Sequence, residues 1–307
     1  MLTAGASFVI PYLYTRDRPV TYGMANAGFW GATRGLTHGV YLVNLLDDTP
    51  SDRAALGLGM ALSLAEGLGG YSWARATDMS AGQAHTIGNF GDFGHAWAGS
   101  VLLMAQPDPD QAAFATLLAG AGLGLAYGTT RSAALPYTWG DAEVQRAAFF
   151  LGAGNGAVVW DWIFGEHASD DDIRFLGAAL LGGSIAGLLA GDHALRGHDF
   201  SAGQAILVDL GTLAGGLLGL GLAVLVSPEN VDDATPLLTL AAVGADIGFL
   251  ATFASLSDNA RRRAERRTGA LELDINPAAL LLLRDDHPAR RGAPGVEVPL
   301  VALRYRF

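Results

Sequence analysis

Few residues of this chain have the chemistry to move a proton, hold a metal or attack a bond, and several of those few stand inside long apolar segments. Arg34, Asp92 and Asp246 each fall near the middle of such a segment, with His38 one helical turn beyond Arg34 and His95 three residues beyond Asp92. Glu66, His85, Asp161 and Asp209 are the other ionisable residues well removed from a loop. A charge in a bilayer interior is costly, so such residues face protein or water and find partners. Two readings follow. Either these residues make interhelical pairs that fix packing, or Arg34, Asp92, His95 and Asp246 line a polar path for protons or ions; packing is the leading expectation.

His85, Asp92 and His95 share one segment at spacings of seven and three. Seven helical residues rise about 10 Å, too far for His85 and His95 to hold one ion together. A metal reading would need Asp92, His95 and a donor from elsewhere, so no metal and no cofactor is expected. The acidic runs Asp47-Asp48-Asp52 and Asp170-Asp171-Asp172 lack the spaced pattern of a calcium loop. They read as solvating acids, with Asp52 and Asp172 as helix N-caps. The chain has no Cys, which excludes thiolate metal sites and Cys nucleophiles. Neither a phosphate-binding Gly loop ending in Lys-Ser/Thr nor a His-Glu-x-x-His motif occurs, and catalytic residues are therefore not assigned.

The elements that carry these residues repeat. Gly23 is followed at eight, twelve and sixteen residues by Gly31, Gly35 and Gly39; Gly82 by Phe90, Gly94 and Ala98; Gly140 by Ala148, Gly152 and Gly156; and Gly203 by Gly211, Gly215 and Gly219. The openings lie 59, 58 and 63 residues apart, a period of two elements per unit. Eight apolar segments fit it: about Tyr22 to Leu46, Ala54 to Trp73, Gly82 to Ala105, Gln111 to Thr129, Asp141 to Phe164, Ile173 to Ala190, Ala205 to Val226 and Leu237 to Leu256. Each has the length a helix needs to cross about 30 Å of hydrocarbon. Gly costs about 1 kcal/mol against Ala in a helix in water, so many in register need a reason. In lipid that reason is close approach of one backbone to another.

The loops carry an orientation. If all eight segments cross, the face holding both tails and the loops after even segments has Arg16, Arg18, Arg75, Arg131, Arg196, Arg261, Arg262, Arg263, Arg266 and Arg267; the opposite face has only Arg53 and Arg174 among many acids. Short basic loops stay cytoplasmic, which favours a bacterial inner membrane with both termini inside. Tyr22, Tyr71, Trp73, Tyr127, Tyr137 and Trp139 at the basic ends, and Trp160 and Trp162 at the acidic end, are expected to form interfacial belts, with Trp30 and Trp97 packed inside. A net charge of −11 argues against nucleic-acid partners.

After the Arg run the pattern alternates. Leu271, Leu273 and Ile275, then Val301, Leu303, Tyr305 and Phe307, sit at every second position around a Pro/Gly-rich stretch, which reads as a β-hairpin. The last residues resemble the terminal strand of bacterial outer-membrane β-barrels, which implies the outer membrane as the alternative compartment, although a barrel needs at least eight strands.

The expectation is an all-α polytopic membrane bundle of four glycine-zipper helical-hairpin repeats, about eight helices, with a short C-terminal β-hairpin. Residues 1–21 form an N-terminal extended or partial helix that reads as if upstream sequence were missing, 22–257 the bundle, and 258–307 an Arg-rich linker and hairpin tail. Helix packing is assigned to Gly31, Gly35, Gly39, Gly94, Gly152, Gly156, Gly211, Gly215 and Gly219. The expected function is a structural or scaffold membrane protein of a bacterial envelope, partnered by the bilayer and by itself or other envelope proteins. A proton- or ion-conducting channel or transporter is the alternative, and a metal-dependent intramembrane enzyme the third reading.

Overall fold

The computed structural model describes residues 19–47, 49–108, 110–165, 169, 172–226 and 234–267, with Leu13, Arg16 and two four-residue strands. Its helices are α1 (Tyr22–Leu46), α2 (Asp52–Ala76), α3 (Ala81–Ala105), α4 (Asp110–Ala134), α5 (Trp139–Phe164), α6 (Ile173–Ala194), α7 (Ala202–Val226) and α8 (Ala234–Arg267). Each expected apolar segment is one helix, and most run a few residues further than expected. The reason is visible at their ends, where polar residues that read as loop cap or finish the helices.

The odd helices all start on a hydroxyl. Thr21, Ser80, Thr138 and Ser201 accept the backbone N–H of Met24, Gln83, Asp141 and Gln204. Gln83, Asp141 and Gln204 accept the cap residue's own N–H in return, closing capping boxes. Such caps contribute about 1 kcal/mol each. The cap of α2 is Ser51 rather than Asp52. Asp172 holds the N-cap position of α6 without bonding the helix, because its carboxylate accepts the hydroxyl and N–H of Ser169 instead.

At the other end of the body, residues 258–267 are the last turns of α8, not a linker. No Gly or Pro interrupts the stretch from Phe249 to Arg267, and Arg is a good helix former placed favourably at a C-terminus. Ala260 there is fully buried, and its carbonyl accepts the N–H of Asp199. Beyond α8 only β1 (Glu272–Ile275) and β2 (Val301–Arg304) are described, paired antiparallel with Glu272 opposite Arg304. The turn of the expected hairpin lies outside the described residues, as does nearly all of the segment 1–21.

Helices pack most closely in the pairs α1–α2, α3–α4, α5–α6 and α7–α8. Between pairs the arrangement is directional: α1 touches α3 and α4, α3 touches α5 and α6, and α5 touches α7 and α8. The odd helices thus form a spine.

Glycines set the spacing within each pair. A Cβ added at Gly31, Gly35 or Gly39 would fall within 3 Å of the α2 backbone at Glu66, Leu62 or Gly59. Gly94 meets Gly120, Gly152 meets Gly183, and Gly156 meets Ala179 in the same way; Gly215 meets Gly244 and Gly219 meets Leu240, while Gly211 is seated on Thr252. Gly23, Gly82 and Gly140 do something different. They lie on the carbonyls of Met79, Tyr137 and Phe200, the residue before the N-cap of the next odd helix, so they join pairs to one another.

Five helices, α4 to α8, are long and apolar enough to cross a membrane. The first three are as long but less apolar along their length. Beside an apolar core that includes Phe90, Phe93 and Phe149, the protein buries polar side chains and exposes large apolar ones. Asn89, Gln145, Glu143 and Asp141 are buried, while Leu207, Leu210, Leu217, Leu218 and Leu225 of α7 are more than half exposed. A surface of that kind needs an apolar solvent. By length and composition this is a membrane protein.

Candidate functional site

The densest polar group lies among the first three helices. α1 places Arg34 and His38 one turn apart on one face, α3 places Asp92 and His95 at i and i+3, and α2 supplies Glu66. Arg34 grips Asp92 with both arms of its fork, Nε donating to Oδ1 at 2.8 Å and Nη2 to Oδ2 at 2.5 Å. Its Nη1 donates to Thr33, and the guanidinium stands 5.9 Å from the Trp30 ring centre. A two-armed Arg–carboxylate bond is among the strongest polar ties available to a helix pair.

One turn further, His38 Nδ1 lies 2.9 and 2.8 Å from the two Glu66 oxygens. A carboxylate only accepts, so Nδ1 carries the hydrogen and donates it. The other face of His38 stacks on His95, ring centres 5.1 Å apart and nearly parallel. Nε2 of His38, Nε2 of His95 and Nε1 of Trp30 are buried with no partner among the described residues. His38, Glu66 and Trp30 also line a cavity of about 430 Å³ whose remaining wall is almost wholly apolar, including Leu62, Ile87 and Leu125.

Arg34, Asp92 and His95 stand in one cluster with His38 and Glu66. Asp246 is placed elsewhere. It accepts two bonds from Asn155 Nδ2, at 3.1 and 3.0 Å, tying α8 to α5. No group of three His, Asp or Glu side chains suited to a metal occurs among the described residues. Asp92, the carboxylate nearest His95 in sequence, is committed to Arg34.

Two further networks were not legible as sites in the sequence. Asn26 on α1 donates to His85 Nδ1 at 3.2 Å, and His85 on α3 donates from Nε2 to Glu143 on α5. Arg146 donates to the same carboxylate from one turn ahead, and Asp209 of α7 stands close to it. The chain of contacts runs through all four odd helices. Its sequence signal is position, since Asn26, His85 and Glu143 each stand three residues after Gly23, Gly82 and Gly140. The second network centres on Asp192 of α6, which accepts from Arg131, from the Tyr137 hydroxyl at 2.9 Å and from Gln145. Burial first, and the Asp192 carboxylate second, hold the Tyr137 phenol above its ordinary pKa.

The aromatic belts are only partly as expected. Tyr22, Trp73, Tyr127 and Trp162 are exposed, but Tyr71 is buried, Tyr137 binds Asp192, and Trp139 stacks on His85 at 4.6 Å. The polar networks on the basic side draw Tyr137 and Trp139 inward, and Tyr71 packs in an apolar cluster with Met24, Ala74 and Met79. Trp30 lies against Gly88 and Gly91, and Trp97 donates to Ser184, so both pack between helices while half-buried. The chain matches no family model, no curated protein and no solved structure.

Proposed function

We propose that this chain is a structural integral membrane protein of a bacterial envelope, a rigid scaffold of four repeated glycine-zipper hairpins in which all eight helices cross the bilayer. One observation carries the reading. Polar side chains of the spine are spent on one another across consecutive odd helices: Arg34 on Asp92, Asn26 on His85, and His85 on Glu143. Closed pairs of this kind tie hairpins together, as charged groups in lipid require. They also explain how α1 to α3 cross despite their polarity, because Arg34, His38, Glu66, Asp92 and His95 turn toward each other. The Arg asymmetry of the loops supports an inner membrane with the basic face in the cytoplasm, and the C-terminal β-hairpin remains part of the proposal on the tail.

A second reading has one observation in its favour. His38 donates to Glu66, stacks on His95 and lines an otherwise apolar cavity with its Nε2 unpartnered. A proton acceptor so placed could exchange protons with a path through the bundle. One experiment separates the two readings: purified protein in liposomes holding a pH-sensitive dye, with a proton gradient imposed. The scaffold reading expects the leak of protein-free vesicles from both the natural chain and Glu66→Gln. Proton flux that Glu66→Gln abolishes would replace it with the path.

A further inference from the structure

We propose that copies of this protein associate head to tail, the α7 edge of one docking on the α1 edge of the next as if it were a fifth hairpin. The inference deepens the scaffold reading and rests on it. It starts from the one opening glycine that differs from its counterparts. Gly23, Gly82 and Gly140 are each seated on the carbonyl three residues before the next opening glycine, at Met79, Tyr137 and Phe200. Around Gly203 no described atom lies within 4 Å of an added Cβ. The residue that would complete the series, three before Gly23, is Val20, which is 46% exposed.

The rest of the contact repeats in the same way. Three residues after the opening glycine come the Asn26–His85 and His85–Glu143 bonds. At seven, Trp30 lies over Gly88 and Gly91, which are six and nine residues into the next unit. At eleven against ten, Arg34 meets Asp92 and Phe93 meets Phe150 edge-on at 6.4 Å. The outgoing face of an odd helix is thus the stripe at 0, 3, 7 and 11. On α7 that stripe is Gly203, Ile206, Leu210 and Ala214, apolar throughout and open, with Ile206 49% and Leu210 54% exposed.

The incoming face is open at the other end of the same chain. Phe29, at the position of Gly88, is 67% exposed, and Leu36, at the position of His95, is 44% exposed. Each copy therefore carries both halves of a contact whose opening-glycine seat is formed three times inside it and whose rows at three and eleven are formed twice. The halves differ, so the contact is heterologous and builds rings or open rows rather than two-fold dimers. The glycines at 211, 215 and 219 are occupied by α8 and are not available for this role.

Disulfide trapping in phosphatidylethanolamine–phosphatidylglycerol vesicles tests the docking, because the natural chain has no Cys. Leu210→Cys together with Phe29→Cys is expected to give a ladder of crosslinked oligomers on oxidation, and either single variant none. Adding Gly203→Leu, where the larger side chain has free space in the isolated chain, is expected to abolish the ladder and leave the melting temperature unchanged. Crosslinking of Leu210→Cys alone would indicate two-fold association and overturn the proposal. So would a double variant that stays monomeric, whether lipid or the chain's own terminal residues cover α7. Proton flux measured on the same vesicles keeps the two claims apart, since a silent monomer defeats the docking alone and a conducting oligomer defeats the scaffold.

Discussion

Gly120 and Gly122 lie two residues apart on α4 and are expected to respond to the same substitution with opposite signs. A Cβ at Gly120 would fall 2.5 Å from the Gly94 carbonyl oxygen and 2.5 Å from Ala98 Cβ on α3, while at Gly122 it would meet nothing within 4 Å. Ordinary contact begins at 3.4 Å, so Gly120→Ala must part the two helices by about 0.9 Å. Backbone cannot rotate aside as a long side chain would. Overpacking of this kind costs about 1–3 kcal/mol. Ala also raises helix propensity by up to about 1 kcal/mol, a gain common to both sites. The difference between the two variants therefore isolates packing and should be about 1–3 kcal/mol, with Gly120→Ala less stable than Gly122→Ala, and Gly122→Ala at or above the natural chain. Thermal unfolding in one detergent, followed by intrinsic Trp fluorescence, measures it. Ala98→Gly added to Gly120→Ala should recover part of the loss by removing one of the two clashes. Equal stability of Gly120→Ala and Gly122→Ala would refute the claim that glycines set the helix spacing.

Asp92→Asn leaves the Arg34 guanidinium without its carboxylate and should lower stability by about 1–3 kcal/mol, less than for a fully buried pair because the Arg side chain is a third exposed and Thr33 and Trp30 still hold it; the double variant Arg34→Met/Asp92→Leu should recover much of it by thermal unfolding. Asp192→Asn weakens three bonds at once and should destabilise more than Asp246→Asn, which keeps an acceptor for Asn155; melting of the two variants side by side is the check. Ser169 holds the Asp172 carboxyl below the usual Asp range. A depressed folded pKa stabilises above the unfolded value and is lost as pH falls through the folded one, so amide exchange at the start of α6 should accelerate only below about pH 4. Ser169→Ala should shift that onset upward.

Much of this architecture could be read from residue spacing because lipid makes the rules strict. A helix that hides its backbone in lipid runs on as one apolar stretch, and α1 was bounded at Tyr22 and Leu46 by the Pro- and Asp-containing loops on either side. The glycines among the positions at eight, twelve and sixteen were legible for a similar reason, since only Gly permits the backbone approach found at Gly35 or Gly94. The role of the opening glycines was not, because a sequence period says that Gly23, Gly82 and Gly140 are equivalent without saying whether they face their own hairpin or the next. Pairing of charges was half legible. Arg34 and Asp92 stand at the same depth in consecutive odd helices, so depth alone brought them together. Asp246 shares that depth but belongs to α8, on the flank of the spine, and meets Asn155 instead. The Asp192 hub was hidden because Arg131, Tyr137 and Gln145 come from two helices and a loop with no common spacing.

The most direct test of the scaffold as an eight-span membrane body is the sidedness of its loops. Single cysteines placed at Thr49, Pro107 and Ser169 should react with a membrane-impermeant maleimide from one face of oriented vesicles, and cysteines at Asp78, Pro136 and Gly197 only from the other. Labelling of both sets from the same face, or release of the protein from membranes by alkaline carbonate, would contradict it.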